Sequence, residues 1–303
     1  MHQTLSKPAR AIRVPAGDRA YYTIINVVLG LFTLMVLLPL IFIVAASFSS
    51  PEAVSNGRVY LWPVDFTLEG YATVFRNKLI GIAYLNTFFY TIFGTLINLA
   101  MTMIAAYPLA RRDLPFKGTV LFLFTFTMLF SGGTIPHYML MINLNLLNTR
   151  WAMLLPGAIS VYNMIIARTF IQNIPHELEE AASIDGCTDT QFFLRMVLPL
   201  STTLLSVLTL YYAVGHWNAY FDAFLYLSDR KLYPLQIVLR EILIANKIAA
   251  NDVVDAETMG AKQGMAELLK YALIIVSSLP VLVLYPFVKK YFLKGVMIGA
   301  LKG

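Results

Sequence analysis

The sequence predicts an all-α integral membrane protein with six transmembrane helices and both termini in the cytoplasm. Its low charge, its long uncharged stretches and its distribution of Lys and Arg all point to this fold class. Only 13% of the 303 residues are charged, and the mean hydropathy is +0.67. Because a soluble domain carries about 25% charged residues, the composition excludes an ordinary soluble enzyme, a disordered chain and a secreted disulfide scaffold. The single cysteine, Cys187, excludes an intrachain disulfide.

Six apolar stretches are the candidate membrane spans. A helix needs about 20 apolar residues to cross the hydrocarbon core, and two of the stretches reach that length only with their polar flanks. The spans are predicted within Tyr22–Phe48, Leu79–Ala110, Gly118–Thr149, Trp151–Ala167, Met196–Phe221 and Tyr271–Val288. Their apolar residues are continuous rather than alternating, so helices are favoured over strands. Gly132 and Gly133, followed by Pro136, predict a break in the third span.

Basic residues indicate the cytoplasmic side, where short connections carry an excess of Lys and Arg. They cluster before the first span, after the second and after the sixth, at Lys7, Arg10, Arg13, Arg19, Arg111, Arg112, Lys117, Lys289, Lys290, Lys294 and Lys302. We therefore expect cytoplasmic tails at 1–21 and 291–303 around a membrane domain at 22–290. The long outer segments, 49–78 and 222–268, each contain a short amphipathic helical pattern.

The connection between the fourth and fifth spans, 174–199, carries the clearest local signals. The stretch His176–Ile184 favours a helix, and Gly186 can supply the left-handed residue that ends it. Thr188 and Gln191 then have the spacing of a capping box at the start of a second helix. The sequence therefore predicts two helices that meet at a glycine corner on the cytoplasmic face, a protrusion suited to docking into a partner.

This connection resembles the EAA signature of bacterial ABC importer permeases. The matching residues are Glu180, Ala181, Ala182, Gly186, Met196, Leu198 and Pro199. Met196 departs mildly from the family, which usually has Ile there. The resemblance implies a coupling element that docks in a cleft of an ATPase subunit. It implies that Ala181 and Ala182 permit close approach, that Glu180 makes polar contact, and that Gly186 forms the corner.

The resemblance covers nearly the whole chain. The segments FSSPEAV, AYPLARRDLPFKG and HWNAYFDAFLYLSDRKLYPLQ are similar to the carbohydrate-uptake branch, and FSGGTIPHYMLMINLNLLNTRWAMLLP resembles importers of complex oligosaccharides such as aldouronate or alginate fragments. The implied fold is that of a type I ABC importer permease in the bacterial inner membrane. The implied partners are a second permease chain (a different, related subunit), two ATPase subunits, an extracytoplasmic solute-binding protein, an oligosaccharide and membrane lipid, but no nucleic acid.

No motif in the sequence indicates catalysis on this chain. A phosphate-binding GxxxxGK[ST] pattern is absent, so ATP and Mg are expected on partner subunits, with no cofactor on this chain. No catalytic residue is predicted. The four histidines are scattered, and His176, which lies among glutamates, is better explained by solvated charge than by a metal site.

Polar and aromatic residues inside the spans are candidates for the solute pathway, because sugars stack on aromatic rings and hydrogen-bond to amides. The candidates are His137, Tyr138, Tyr212, His216, Trp217 and Asn218. The alternative for each is a role in helix packing or in an interfacial aromatic belt.

Three other functions remain open from the residues. A six-span secondary carrier or channel would transport without ATPase partners, although the spans lack the chain of ionisable residues that such carriers use. A membrane-embedded glycan or lipid enzyme would need clustered acids and histidines at one face. An amino-acid or phosphate importer permease would share the EAA signature, and only the resemblance favours sugars.

Overall fold

The computed structural model describes residues 16–251 and 263–283, and every regular element in these two ranges is a helix. The α-helices are α1 Ala16–Ser47, α2 Pro51–Ser55, α3 Glu69–Arg76, α4 Lys78–Ala110, α5 Lys117–Leu129, α6 Thr134–Asn143, α7 Val161–Gln172, α8 His176–Ile184, α9 Asp189–Leu200, α10 Thr202–Trp217, α11 Phe221–Tyr226, α12 Leu235–Asn251 and α13 Gln263–Val283. The predicted tail at 291–303, most of the tail at 1–21 and the end of the sixth span lie outside the described residues.

Helix α4 is the central element, and it packs along both α7 and α10. Two apolar clusters follow its length. The cluster near its start includes Ile80, Tyr90, Trp217, Leu235 and Leu273, and the cluster near its end includes Met103, Ala106, Met164, Phe192 and Leu208. The end of α4 is thus packed with the helices of the predicted coupling connection.

Polar side chains of α4 fix the segment that precedes α12. The Asn86 side-chain amide donates to the carbonyls of Lys231 and Tyr233 at 2.7 and 3.1 Å, and the Tyr90 hydroxyl donates to the carbonyl of Leu232 at 2.8 Å. These bonds give the buried side chains of Asn86 and Tyr90 their hydrogen-bond partners. The amphipathic pattern predicted in the outer segment 222–268 therefore forms a helix, α12, that is anchored to α4.

Among the described residues, three helices are long and apolar enough to cross a bilayer, namely α1, α4 and α13. The number becomes five if α5 with α6, and α9 with α10, each count as one bent span. Along α1, none of the most apolar window is buried. Its side chains must therefore be covered by lipid or by another chain.

The predicted break in the third span is confirmed. Helix α5 ends at Leu129 and α6 begins at Thr134, and the two helices meet at 112°. Gly133 has φ of +86° there, a left-handed conformation that glycine adopts without steric cost.

The predicted continuous span over Trp151–Ala167 is wrong. The chain there forms a 3₁₀ turn, Arg150–Met153, and helix α7 begins only at Val161. Pro156 and Gly157 interrupt the apolar stretch, and Ser160 caps α7. Twelve residues of helix rise about 18 Å, which is less than the ~30 Å hydrocarbon core.

The predicted span Met196–Phe221 is also corrected. The helix axis turns by 78° between α9 and α10, at Ser201, so Met196 belongs to the connection rather than to the crossing helix. A π-helical turn, Phe193–Val197, precedes Pro199. Pro199 lacks an N–H to donate within the helix, and both features are common causes of kinks.

Candidate functional site

Helices α8 and α9 form the predicted corner. Gly186 has φ of +74°, its N–H donates to the carbonyl of Ser183 at 3.1 Å, and the Cys187 N–H donates to the carbonyl of Ala182 at 2.9 Å. These bonds close the end of α8 in the manner of a glycine C-cap. A side chain at Gly186 would meet no atom within 4 Å, so its backbone conformation, not lack of space, favours glycine there.

The predicted capping box at the start of α9 is confirmed. The Gln191 backbone N–H donates to Thr188 Oγ1 at 3.3 Å, and the Thr188 N–H donates to Gln191 Oε1 at 3.0 Å. These reciprocal bonds fix where α9 begins.

The residues of the EAA signature fall into two groups. Glu180, Ala181 and Gly186 are exposed at the corner, whereas Ala182, Met196 and Leu198 pack partly buried against the cluster at the end of α4. Pro199 is exposed at the bend that follows. The signature thus combines an accessible surface with residues that hold that surface on the membrane helices.

Ile184 was missed by the sequence analysis. Its side chain is 87% exposed at the end of α8, beside the glycine corner. A large aliphatic side chain this exposed on a polar helix favours contact with a partner. The only sequence signal is an isolated apolar residue between Ser183 and Asp185.

Arg111, directly after α4, joins the corner to the central helix. Its guanidinium contacts Asp113 at 2.8 and 2.9 Å, Asp189 of α9 at 2.5 Å and Glu179 of α8 at 3.3 Å. Hydrogen bonds from Arg111 lower the pKa of Asp113 to about 2, and the pKa of Arg111 is raised in return. We call these four residues the Arg111 cluster. Arg111 was predicted only as a marker of the cytoplasmic side.

The carboxyl end of α4 is further tied to its neighbours. Arg168 of α7 donates to the carbonyl of Leu109 at 3.0 Å, and Lys117 donates to the carbonyls of Ala110 and Arg111 at 3.3 and 2.5 Å. Cations at a helix carboxyl end stabilise the unpaired carbonyls and the helix dipole. These bonds link the carboxyl end of α4, which Arg111 joins to the corner, to α5 and α7.

A small cavity of about 100 Å³ lies between this end of α4 and the corner, and His176 and Glu179 line it. His176 Nδ1 is 3.7 Å from Glu179 Oε2. In the described ranges, no group of three histidine, cysteine or acidic side chains is placed to hold a metal ion.

Three predicted pathway residues form contacts between helices. Tyr212 and Thr102 share a 2.7 Å hydrogen bond between their hydroxyls, and His216 Nε2 lies 2.6 Å from Asn98 Oδ1. Trp217 is 3% exposed, and its indole N–H donates to a carbonyl of α13 at 3.0 Å. These contacts correspond to the helix-packing alternative, because the polar atoms already have partners on neighbouring helices.

The other three pathway candidates are more accessible. His137 and Tyr138 are half-buried on α6, with ring centroids 6.1 and 6.2 Å from that of Tyr226 on α11. Asn218 is exposed at the end of α10, where its side-chain amide donates to the carbonyl of Val214 at 3.0 Å. The structure therefore does not bring the six candidates together into one site.

The chain is similar to known transport proteins over nearly its whole length. It is 40% identical over 286 residues to the polygalacturonan/rhamnogalacturonan transport system permease protein YtcP of Bacillus subtilis, which covers 94% of this chain and 99% of the relative. The chain belongs to the family of ABC transporter permeases. Protein LplC of Bacillus subtilis is also 40% identical, over 88% of this chain and 90% of the relative. A comparison with protein-family models finds no match.

A solved structure supports the same assignment. A bacterial ABC transporter involved in the import of the acidic polysaccharide alginate contains a chain that superposes with a TM-score of 0.83. It is 34% identical, and the match covers 93% of this chain and 100% of that one. The permease is an integral membrane transport subunit rather than an enzyme, and ATP hydrolysis belongs to partner subunits.

Proposed function

We propose that this permease forms half of the membrane channel of an ATP-driven importer for oligosaccharides that contain uronic acid units. The named cargo of two similar proteins, polygalacturonan/rhamnogalacturonan and alginate, supports this substrate class. An extracytoplasmic binding protein would deliver the sugar to the outer segments. The second half of the channel would be a different, related permease chain.

The observation that carries the proposal is the exposed corner between α8 and α9. Glu180, Ala181 and Ile184 present an acidic, a small and an apolar surface around Gly186, and the closed helix end and capping box keep that surface rigid. A rigid corner of this kind fits a cleft on one of the two ATPase subunits, which would bind ATP and Mg.

Closure of the ATPase pair would move the corner, and two connections support transmission of that motion to the membrane helices. One is the covalent path through α9, which is bent by 78° before α10. The other is Arg111, which contacts Glu179 and Asp189 from the end of α4. Two packings of these helices, one open outwards and one inwards, would then be populated according to the nucleotide state.

The proposed topology counts each bent pair as one span and takes α7, together with the apolar segment before it, as a sixth and shorter crossing, with both termini in the cytoplasm of a bacterial cell and the spans in its inner membrane. The basic residues of the connection after α4 support this orientation, since they lie beside the corner that the ATPase must reach. The apolar surface of α1, exposed along its length, supports coverage by lipid or by the second permease.

The test compares two substitutions at Gly186 in the complete complex with its second permease, ATPases and binding protein. Gly186→Pro cannot adopt φ of +74° and removes the N–H that bonds Ser183, so we expect an assembled complex whose ATPase is no longer stimulated by loaded binding protein. Gly186→Asn is the matched control, because asparagine tolerates the left-handed region, and it should keep most of the stimulation. Unchanged stimulation in an assembled Gly186→Pro complex would contradict the docking role and favour a secondary carrier.

A further inference from the structure

A second cavity, of about 240 Å³, lies where the end of α10 meets α12 and α13. Its floor is made of aliphatic side chains from α12 and α13, and five polar or aromatic residues complete its lining. These are Asn218, Tyr220, Gln236, Arg240 and Ser277. An apolar floor with a few placed polar groups is the usual make-up of a small-molecule site.

Arg240 is held in this cavity by stacking rather than by an ion pair. Its guanidinium carbon lies 4.6 Å from the centroid of the Tyr220 ring. The neighbouring acid, Glu241, contacts Arg230 instead, at 3.4 Å, and Arg240 has no carboxylate within ion-pair distance among the described residues. Because stacking uses the face of a guanidinium, its N–H groups stay available at the edge for a planar, bidentate acceptor such as a carboxylate.

The other polar residues supply hydrogen bonds suited to hydroxyl groups. Gln236 lies four positions before Arg240, so both side chains lie on the same face of α12. The Asn218 amide group donates to the carbonyl of Val214, which leaves its oxygen as an acceptor. Ser277 Oγ donates to the carbonyl of Ile274 and retains its acceptor capacity.

We propose that this cavity is a subsite for one uronate unit of the transported oligosaccharide, with Arg240 binding the sugar carboxylate. Gln236 and Asn218 bind sugar hydroxyls, and the apolar face of the ring lies on the aliphatic floor. This inference rests on the proposed function, since it assumes that the cargo is an oligosaccharide. The six predicted spans contain no Lys or Arg, so this inference assigns the acidic specificity to a residue outside them.

An anionic lipid headgroup offers Arg240 the same chemistry, a delocalised anion with several acceptor oxygens. Binding of a sugar carboxylate and binding of a lipid headgroup differ in how they depend on the lipid composition of the membrane. A sugar subsite works in a bilayer of zwitterionic lipid, whereas a headgroup site needs anionic lipid. Phosphatidylcholine vesicles with and without phosphatidylglycerol therefore separate the two explanations.

The test measures uptake of trigalacturonate into such vesicles by the complete complex, at saturating loaded binding protein. Arg240→Gln should lower the maximal uptake rate by ~10-fold or more, as expected for loss of a charged hydrogen bond, in both lipid mixtures. ATPase stimulation by loaded binding protein is measured in the same vesicles, and a loss of stimulation in Arg240→Gln that matches its loss of uptake would assign Arg240 to docking of the binding protein and overturn the subsite. Arg230→Gln is the matched control and should retain the wild-type uptake rate, while Arg240→Lys should recover part of the lost rate.

Equal uptake by wild type and Arg240→Gln would overturn the subsite, as would a loss confined to vesicles with phosphatidylglycerol. If Arg240→Gln fails to assemble, Gln236→Ala provides the same comparison, with an expected loss of ~3-fold. Neither result bears on the proposed function itself, which the Gly186 variants test through ATPase stimulation.

Discussion

Removal of the Arg111 side chain should weaken the mechanical link between the docking corner and α4. The guanidinium is 20% exposed and reaches acids on both helices of the corner, Glu179 of α8 and Asp189 of α9. Exposed ion pairs contribute about 0.2–1 kcal/mol each. The ion pair with Asp189 contributes near the low end of this range because the Asp189 side chain is 75% exposed. The ion pair with Glu179, whose side chain is 30% exposed, contributes nearer the top.

Together these two contacts amount to about 0.7–1.2 kcal/mol, a factor of ~3–8 in the population of the attached corner. Arg111→Ala should therefore leave the complex assembled and its basal ATPase intact while reducing sugar uptake per ATP hydrolysed by a factor within that range. Arg112→Ala is the matched control. It removes the same charge from the adjacent position, yet in the described part of the chain Arg112 forms no ion pair with either acid.

The assay is the ratio of uptake to ATP hydrolysis in vesicles, measured for both variants and for Glu179→Gln alone and combined with Arg111→Ala. If the ion pair carries the effect, the double variant should lose less than the product of the two single losses. Equal ratios for Arg111→Ala and Arg112→Ala would refute the link through α4 and leave the bent path through α9 as the route.

Two further predictions concern packing and docking. Gly94→Ala should lower the free energy of unfolding of the permease by about 1–3 kcal/mol, because the added Cβ would collide with the His216 ring. Thermal unfolding of the purified complex measures this loss. Gly81→Ala is the control, because Gly81 lies in open space on the same helix and its substitution should not lower the stability. Ile184→Ser should weaken ATPase binding by ~10-fold, in line with burial of an aliphatic side chain at an interface, as measured by retention of the ATPase subunits on the immobilised permease. Ile135, on α6, is 78% exposed, so Ile135→Ser should leave that retention unchanged, and equal losses from both substitutions would contradict a docking role.

Local signals allowed a large part of this molecule to be predicted. The helix end at Gly186 and the capping box of Thr188 and Gln191 depend on residues within a few positions of each other, and so does the break at Gly133. Long apolar runs likewise predict α1 and α4, since a membrane helix satisfies its own backbone groups. The error at Trp151–Ala167 came from counting apolar residues alone, because such a count does not register that Pro156 and Gly157 interrupt a helix.

The sequence by itself determined the helical class, the family signature and the corner that presents it. Only the tertiary structure decided which distant residues meet. Arg111 and Asp189 are 78 positions apart, and Tyr212 and Thr102 are 110 apart, so their contacts depend on how whole helices pack. A basic residue after a span, or a tyrosine within one, has the same local pattern whether it binds a partner helix or a solute. The physical reason is that hydrogen bonds and ion pairs are short-ranged, and helix packing alone brings these side chains within reach.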